Sequence, residues 1–269
     1  MSATMTASRA RNSNWLVIPT RAGFIGYGIL HLVVAWLAIQ IVAHRPGSRA
    51  DQAGAFRLLD RQPLGHVLII IIMIGLFAMA LWQLLLAAFG HREYHGKRRI
   101  FERIASLGRV LIYTFLGVTA LQVLQGSTQS SASKQEKATA GVLGSGGGRA
   151  FVAIAGLVIL CVGIGMIVYG WKKKFESKLN LYSLNQTTRK SVVRLGQLGY
   201  IARGVAFGVV GGLILDAALS DNAKRSRGLD GALRTLASQP AGGVLLSVIA
   251  IGFAAFGVYC FFQAKYRRI

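Results

Sequence analysis

Residues 67–89 read VLIIIIMIGLFAMALWQLLLAAF, with no charged side chain anywhere in the run. A hydrocarbon layer about 30 Å thick needs roughly 20 consecutive, mostly apolar residues to be crossed by a helix, and this stretch has the length and the composition. Its apolar residues are continuous, which excludes the period-two alternation of a membrane β-strand. Five further runs share its character, at about residues 23–42, 107–124, 150–169, 198–219 and 244–263. Their glycines and β-branched residues weaken a soluble helix but suit membrane helices, where small residues let backbones approach. The expected fold is therefore an all-α integral membrane protein with six transmembrane helices.

Composition agrees with that reading. Of 269 residues 53% are apolar and 15% charged, against about 25% charged in a typical soluble domain. Lys and Arg number 31 and Asp and Glu 9, for a formal net charge of +22. Such a balance fits nucleic acid or anionic lipid, and the placement of the charges decides between them. The N-terminal arm, the second and fourth connections and the C-terminal tail carry three, five, seven and three basic residues, eighteen in all; the other three connections carry eleven. Because basic residues accumulate on the cytoplasmic side, both termini are expected there, in a bacterial cell membrane. Clusters such as Arg92–Arg103 and Trp171–Lys178 lie just past span ends, where each basic residue near an anionic leaflet contributes roughly 1 kcal/mol. The expected partners are thus the bilayer, with anionic lipids at its cytoplasmic face, and other membrane proteins. Nucleic acid is not expected, since no connection is long enough to form a basic, base-stacking module. The apolar run after Pro19 exceeds a signal-peptide core and has no small-residue cleavage site following it, so it reads as a retained first span. Cys161 and Cys260 sit inside apolar runs, which excludes a disulfide framework or a paired metal motif.

An internal repeat organises the chain. Residues 54–65, GAFRLLDRQPLG, match residues 231–242, GALRTLASQPAG, at a constant offset. Upstream, residues 22–28 answer to 198–204, and downstream Gly75 and Trp82 answer to Gly252 and Tyr259. A divergent copy lies between them: Leu107 and Gly108 answer to Ala22 and Gly23, and Tyr169 to Trp82, while its connection lacks Gln-Pro-x-Gly and is rich in Ser and Gly. The expected organisation is a polar cytoplasmic arm at 1–18 followed by two-span repeats at 19–99, 100–180 and 181–269. Each copy contains two spans and so enters the membrane in the same direction, which implies parallel repeats and a pseudo-threefold bundle. Gly23, Gly28, Gly108, Gly199 and Gly204 are expected at helix contacts. In the connections within the first and third copies, Ala55, Leu58 and Leu59, and likewise Ala232, Leu233 and Leu236, have helical apolar spacing with Arg57 and Arg234 on another face. A short interfacial helix is expected in each, with Asp51 or Asp230 near its positive N-terminus. The motifs Gln62-Pro63-x-Gly65 and Gln239-Pro240-x-Gly242 would then end that helix and start the next span.

Leu198-Gly199-Tyr200 with Arg203-Gly204, and Gly231-Ala232-Leu233-Arg234 with Gln239, Pro240 and Gly242, carry a family resemblance. With three copies of a two-helix unit, the chain resembles the bacterial membrane family known as domain of unknown function number 1206. The likeness runs from the end of the arm to the C-terminus. It departs at Tyr27, where the third copy has Arg203, and throughout the connection within the second copy. The resemblance implies a bacterial cytoplasmic-membrane protein and brings no catalytic residue with it.

Ionisable groups at membrane depth are the natural functional candidates. His31 lies about two turns into the first span, Arg203 about one turn into the fifth, and Asp216 near the outer end of that span. His31 has two roles open to it, a buried imidazole bonded to a helix carbonyl, or a proton relay or solute contact. Arg203 and Arg109 are placed to snorkel to lipid phosphates. Gln122, like Gln40 and Gln83, suits interhelical hydrogen bonding. His91 and His95 share a helix face but have no third ligand in evidence. The stretch 144–149, GSGGGR, lacks the Gly-Lys-Ser/Thr ending of a phosphate loop and reads as a flexible linker. No catalytic set, metal site or cofactor motif is present, so an enzyme is not expected. Two functions fit: a structural or accessory envelope component, or a small-solute or ion transporter or channel with an axial route between three hairpins. A continuous polar cavity at the axis would separate them.

Overall fold

A computed structural model of the protein describes residues 14–43, 50–90, 96–127, 129, 131–182, 184–226 and 228–267. Among these the chain is helical: α1 (Asn14–Val42), α2 (Gln52–Asp60), α3 (Gly65–Phe89), α4 (Gly96–Leu124), α5 (Ser131–Leu143), α6 (Gly148–Trp171), α7 (Gln186–Leu219), α8 (Gly228–Ala237) and α9 (Gly242–Tyr266). Six segments are long and apolar enough to cross a membrane: Thr20–Val42, Gly65–Phe89, Arg99–Leu124, Gly148–Trp171, Gln186–Leu219 and Gly242–Tyr266. Helices α4 and α7 begin well before the apolar runs that mark them in the sequence. Residues 96–106 and 186–197 contain no proline and no helix-stopping turn motif, so the backbone ladder continues through polar residues that a hydrophobicity window leaves out.

The chain divides into two compact units. The first comprises the described parts of Met1–Ile29, Leu59–Ser127 and Cys260–Ile269, and the second Leu30–Leu58 and Thr128–Tyr259. In the first, α3 lies along α4; in the second, α6 lies along α7. Only 17% of the apolar window of α6 is buried, and Phe151, Ile154, Val158 and Trp171 are exposed along it. Such a surface suits lipid and would be untenable in water.

Three helix contacts rest on glycine. A side chain at Gly23 would run into the carbonyl of Gly75 and, at 2.6 Å, the sulfur of Met79. In the third copy a side chain at Gly199 would lie 2.6 Å from Cβ and 2.7 Å from Cα of Phe256, and one at Gly252 would collide with Ala202. Residues 79 and 256 are repeat equivalents, so Gly23 and Gly199 meet corresponding positions of the partner helix within their own units. Aromatic pairing recurs with them: Phe24 and Trp82 pack edge to face at 6.2 Å, and their counterparts Tyr200 and Tyr259 do so at 6.0 Å. Gly204 presses on Gly163, whose carbonyl would be 2.6 Å from an added side chain. Gly28 is buried. Gly108 differs, being exposed with open space where its side chain would be.

The connection within the second copy also departs from expectation. Residues 131–143 form the short helix α5, and residues 144–148 form an ordered turn in place of a flexible linker. In the first copy the Gly65 N–H donates to the Gln62 carbonyl at 2.9 Å, and the Gln62 N–H to the Leu59 carbonyl at 2.9 Å. The second copy repeats this with Gly148 to Ser145 at 2.9 Å and Ser145 to Val142 at 3.0 Å, the third with Gly242 to Gln239 at 2.7 Å and Gln239 to Leu236 at 3.2 Å. The residue before each glycine has positive φ: Leu64 at 63°, Gly147 at 82° and Ala241 at 58°. That is the third position of a type II turn, which favours Pro at the second position or Gly at the third. Copies one and three have Pro63 and Pro240, whereas copy two has Gly147. The letters differ and the turn is the same.

Gly199→Val is expected to lower stability by about 1–3 kcal/mol through overpacking, while Gly108→Val is expected to leave it within experimental error. Denaturant unfolding of the two variants in detergent checks this.

Candidate functional site

His31 on α1 and Arg203 on α7 come together on one aromatic side chain. The imidazole centroid lies 4.8 Å from that of Phe256 and 6.3 Å from that of Phe253. The Arg203 guanidinium carbon lies 4.2 Å from the Phe256 centroid, within the range of a cation–π contact. Phe256 is itself part of a ring cluster, edge to face with Tyr200 at 5.3 Å and tilted against Tyr259 at 5.9 Å. Phe175, in the short turn Lys174–Lys178, stacks on Tyr200 at 5.4 Å, and Tyr169 meets Tyr200 at 4.9 Å. Phe175, Phe256 and Tyr259 are fully buried. Arg203 thus has an aromatic neighbour in addition to the polar surroundings that its position in the sequence implies. The ring spacing that produces this was already present in the sequence at residues 200, 256 and 259, but only packing shows that they converge.

Gln122 is half-buried on α4, in the other unit. There Gln83, fully buried on α3, accepts a long contact from Arg109 Nη1 at 3.4 Å, and the same nitrogen lies 3.4 Å from Ser106 Oγ. Arg109, also read as a snorkelling side chain, is turned toward α3.

The short helices of the connections hold a second group of polar residues. Asp51 is fully buried and its Oδ1 accepts the Gly54 N–H at 2.6 Å, which caps α2. Asp230, in the first turn of α8, accepts the backbone N–H of Ala50 at 2.9 Å and pairs with Arg234 at 2.9 Å. The connections within the first and third copies are therefore tied together by a carboxylate that the sequence placed only at a helix start. Between α5 and the approach to α8, Gln135 Nε2 and Thr139 Oγ1 each lie 3.0 Å from the buried Ser226 Oγ. Asp216 is held by Arg225 Nη1 at 2.8 and 2.9 Å. His91 and His95 lie outside the described residues.

The family model for Domain of Unknown Function (DUF1206) matches the chain three times, at residues 22–90, 104–173 and 198–267. The chain belongs to this family. Each match takes in one short connecting helix and its type II turn, the second included. Uncharacterized protein YxxB of Bacillus subtilis (strain 168) is 27% identical over 267 residues, covering 98% of this chain and 96% of the relative. No solved structure matches this DUF1206 chain significantly.

Asp230→Ala leaves the buried Ala50 N–H without its acceptor and is expected to destabilise the protein by about 1–3 kcal/mol. Asp216→Ala, which removes a half-exposed ion pair, is expected to lower stability by about 0–1 kcal/mol. Thermal unfolding of both variants in the same detergent gives the comparison.

Proposed function

We propose that this DUF1206 protein is a structural or accessory component of the bacterial cell membrane, not an enzyme and not a solute carrier. Its three helix hairpins form a pseudo-threefold bundle with both termini cytoplasmic, and its partners are anionic lipids and other membrane proteins. The observation that supports this best is the packing around Phe256. A carrier needs water at the ionisable groups inside its spans, and here His31 and Arg203 both rest on that ring, while Gly199 packs so close to it that an added side chain would lie 2.7 Å from its Cα. The connections are fastened as well, through Asp230 to Ala50 and through Ser226 to Thr139. Rigid connections and a close-packed interior suit a component that holds its shape, whereas alternating access needs one bundle to rock against another.

The test is thiol labelling of His31→Cys in intact membranes, after Cys161 and Cys260 are changed to Ala. A membrane-impermeant reagent is expected to label Leu64→Cys and Tyr182→Cys, both highly exposed in connections, each from one side only, and to leave His31→Cys unlabelled from either side. Rapid labelling of His31→Cys would instead reveal a wet path and support a transporter.

A further inference from the structure

Arg267, directly after α9, folds onto the aromatic pair of the first repeat. From Cys260 onward the chain belongs to the first compact unit, where Gln263 and Ala264 are buried and Lys265 is exposed. Arg267 follows Gln263 by one helical turn, its N–H donating to the Gln263 carbonyl at 3.0 Å, so it shares the buried face. Its guanidinium carbon lies 5.0 Å from the ring of Phe24 and 5.0 Å from that of Trp82, within reach of a cation–π contact. Both rings are almost fully buried. Among the described residues no carboxylate pairs with this guanidinium.

The corresponding seat in the third copy is filled by the chain that leaves the second. The family matches end at residues 173 and 267, and Phe175, two residues past the first of these, stacks on Tyr200 at 5.4 Å and meets Tyr259 edge to face at 5.3 Å. Tyr200 and Tyr259 are the counterparts of Phe24 and Trp82. The exit of copy two therefore sits on the aromatic pair of copy three, and the exit of copy three on that of copy one. The two seats are held differently. Phe175 is fully buried and closed over by Gly196, where a side chain would lie 2.6 Å from its ring. Its turn is fixed by the Glu176 N–H on the Lys173 carbonyl and the Leu179 N–H on the Glu176 carbonyl, both at 3.0 Å. The Arg267 side chain is half-buried and rests on its two rings alone.

We infer that Arg267 is a releasable strap. Its seat on Phe24 and Trp82 holds down the end of α9, and loss of that one contact frees the last turn of the helix and uncovers the two rings. A phenyl group in such a seat is held by its whole apolar area, whereas a half-exposed cation on a ring is held weakly and returns to water at little cost. The exit of copy two is thus a core contact and the exit of copy three a device that opens. The strap is independent of the choice between scaffold and carrier, which labelling of His31→Cys decides separately.

Ala264→Cys, in full-length protein with Cys161 and Cys260 changed to Ala, reports on that last turn. Its rate of reaction with a water-soluble maleimide is measured in lipid nanodiscs. Arg267→Ala is expected to speed labelling about tenfold, and Arg267→Lys, which keeps a cation, to speed it less. Lys265→Ala, which removes the exposed neighbouring charge, is expected to change nothing. Trp82→Leu is expected to speed labelling as well, and to add little when combined with Arg267→Ala, as two halves of one contact do. Should Trp82→Leu fail to fold, Phe24→Leu supplies the second half of the cycle. A buried thiol elsewhere, Ala232→Cys on α8, is expected to keep its rate in every variant. Equal rates with and without Arg267, additive effects in the double variant, equal acceleration by Lys265→Ala, or a matching rise at Ala232→Cys would each overturn the strap.

Discussion

The start of every second long helix is wedged against the last carbonyls of the short helix before it, and the repeated packing follows from that contact. A side chain at Gly65 would strike the Leu59 carbonyl, one at Gly148 the Val142 carbonyl, and one at Gly242 the carbonyls of Leu236 and Ala237. Only a residue without Cβ lets the chain reverse so sharply. The reversal matters because backbone groups near hydrocarbon must be paired within the protein. A type II turn closes each connection with two backbone hydrogen bonds and hands the chain directly to the next helix.

From that junction the repeated packing can be traced outward. In the first unit Gly23 lets α1 lie against α3 beside the Phe24–Trp82 pair, and in the second Gly199 lets α7 lie against α9 beside Tyr200 and Tyr259. The same hairpin contact is thus built twice, with Met79 in one copy and Phe256 in the other filling the space next to the glycine. The exchange changes the local packing. Phe256 is large enough to meet both His31 and Arg203, and Tyr27, at the place of Arg203 in the first copy, meets Tyr113 edge to face at 5.7 Å.

Much of this was legible in the sequence, and the exceptions have physical causes. Six spans and two clear repeats follow from apolar run length and from Gln-Pro-x-Gly. The second copy was harder, because its connection shares almost no letters with the others. Ser145-Gly146-Gly147-Gly148 satisfies the same turn by placing glycine at the residue with positive φ, so turn chemistry would have found what letter matching missed. Helix α5 was overlooked because Ser131–Leu143 is largely polar and has a weak apolar stripe. The role of Asp230 was half visible: its place in a first helical turn is a local property, whereas its bond to Ala50 joins residues 180 positions apart. The pairing of His31 with Arg203 on Phe256 depends on three helices and has no sequence signal of its own.

The central claim is that all three connections are one structural device, and the second copy tests it hardest. Hydrogen–deuterium exchange of the protein in lipid nanodiscs, read by mass spectrometry, would compare peptides covering residues 59–67, 142–150 and 236–244. The account predicts similar protection in the three, since each turn holds its amides in equivalent hydrogen bonds. Exchange of 142–150 at the rate of an unstructured glycine-rich segment, with the other two protected, would contradict it.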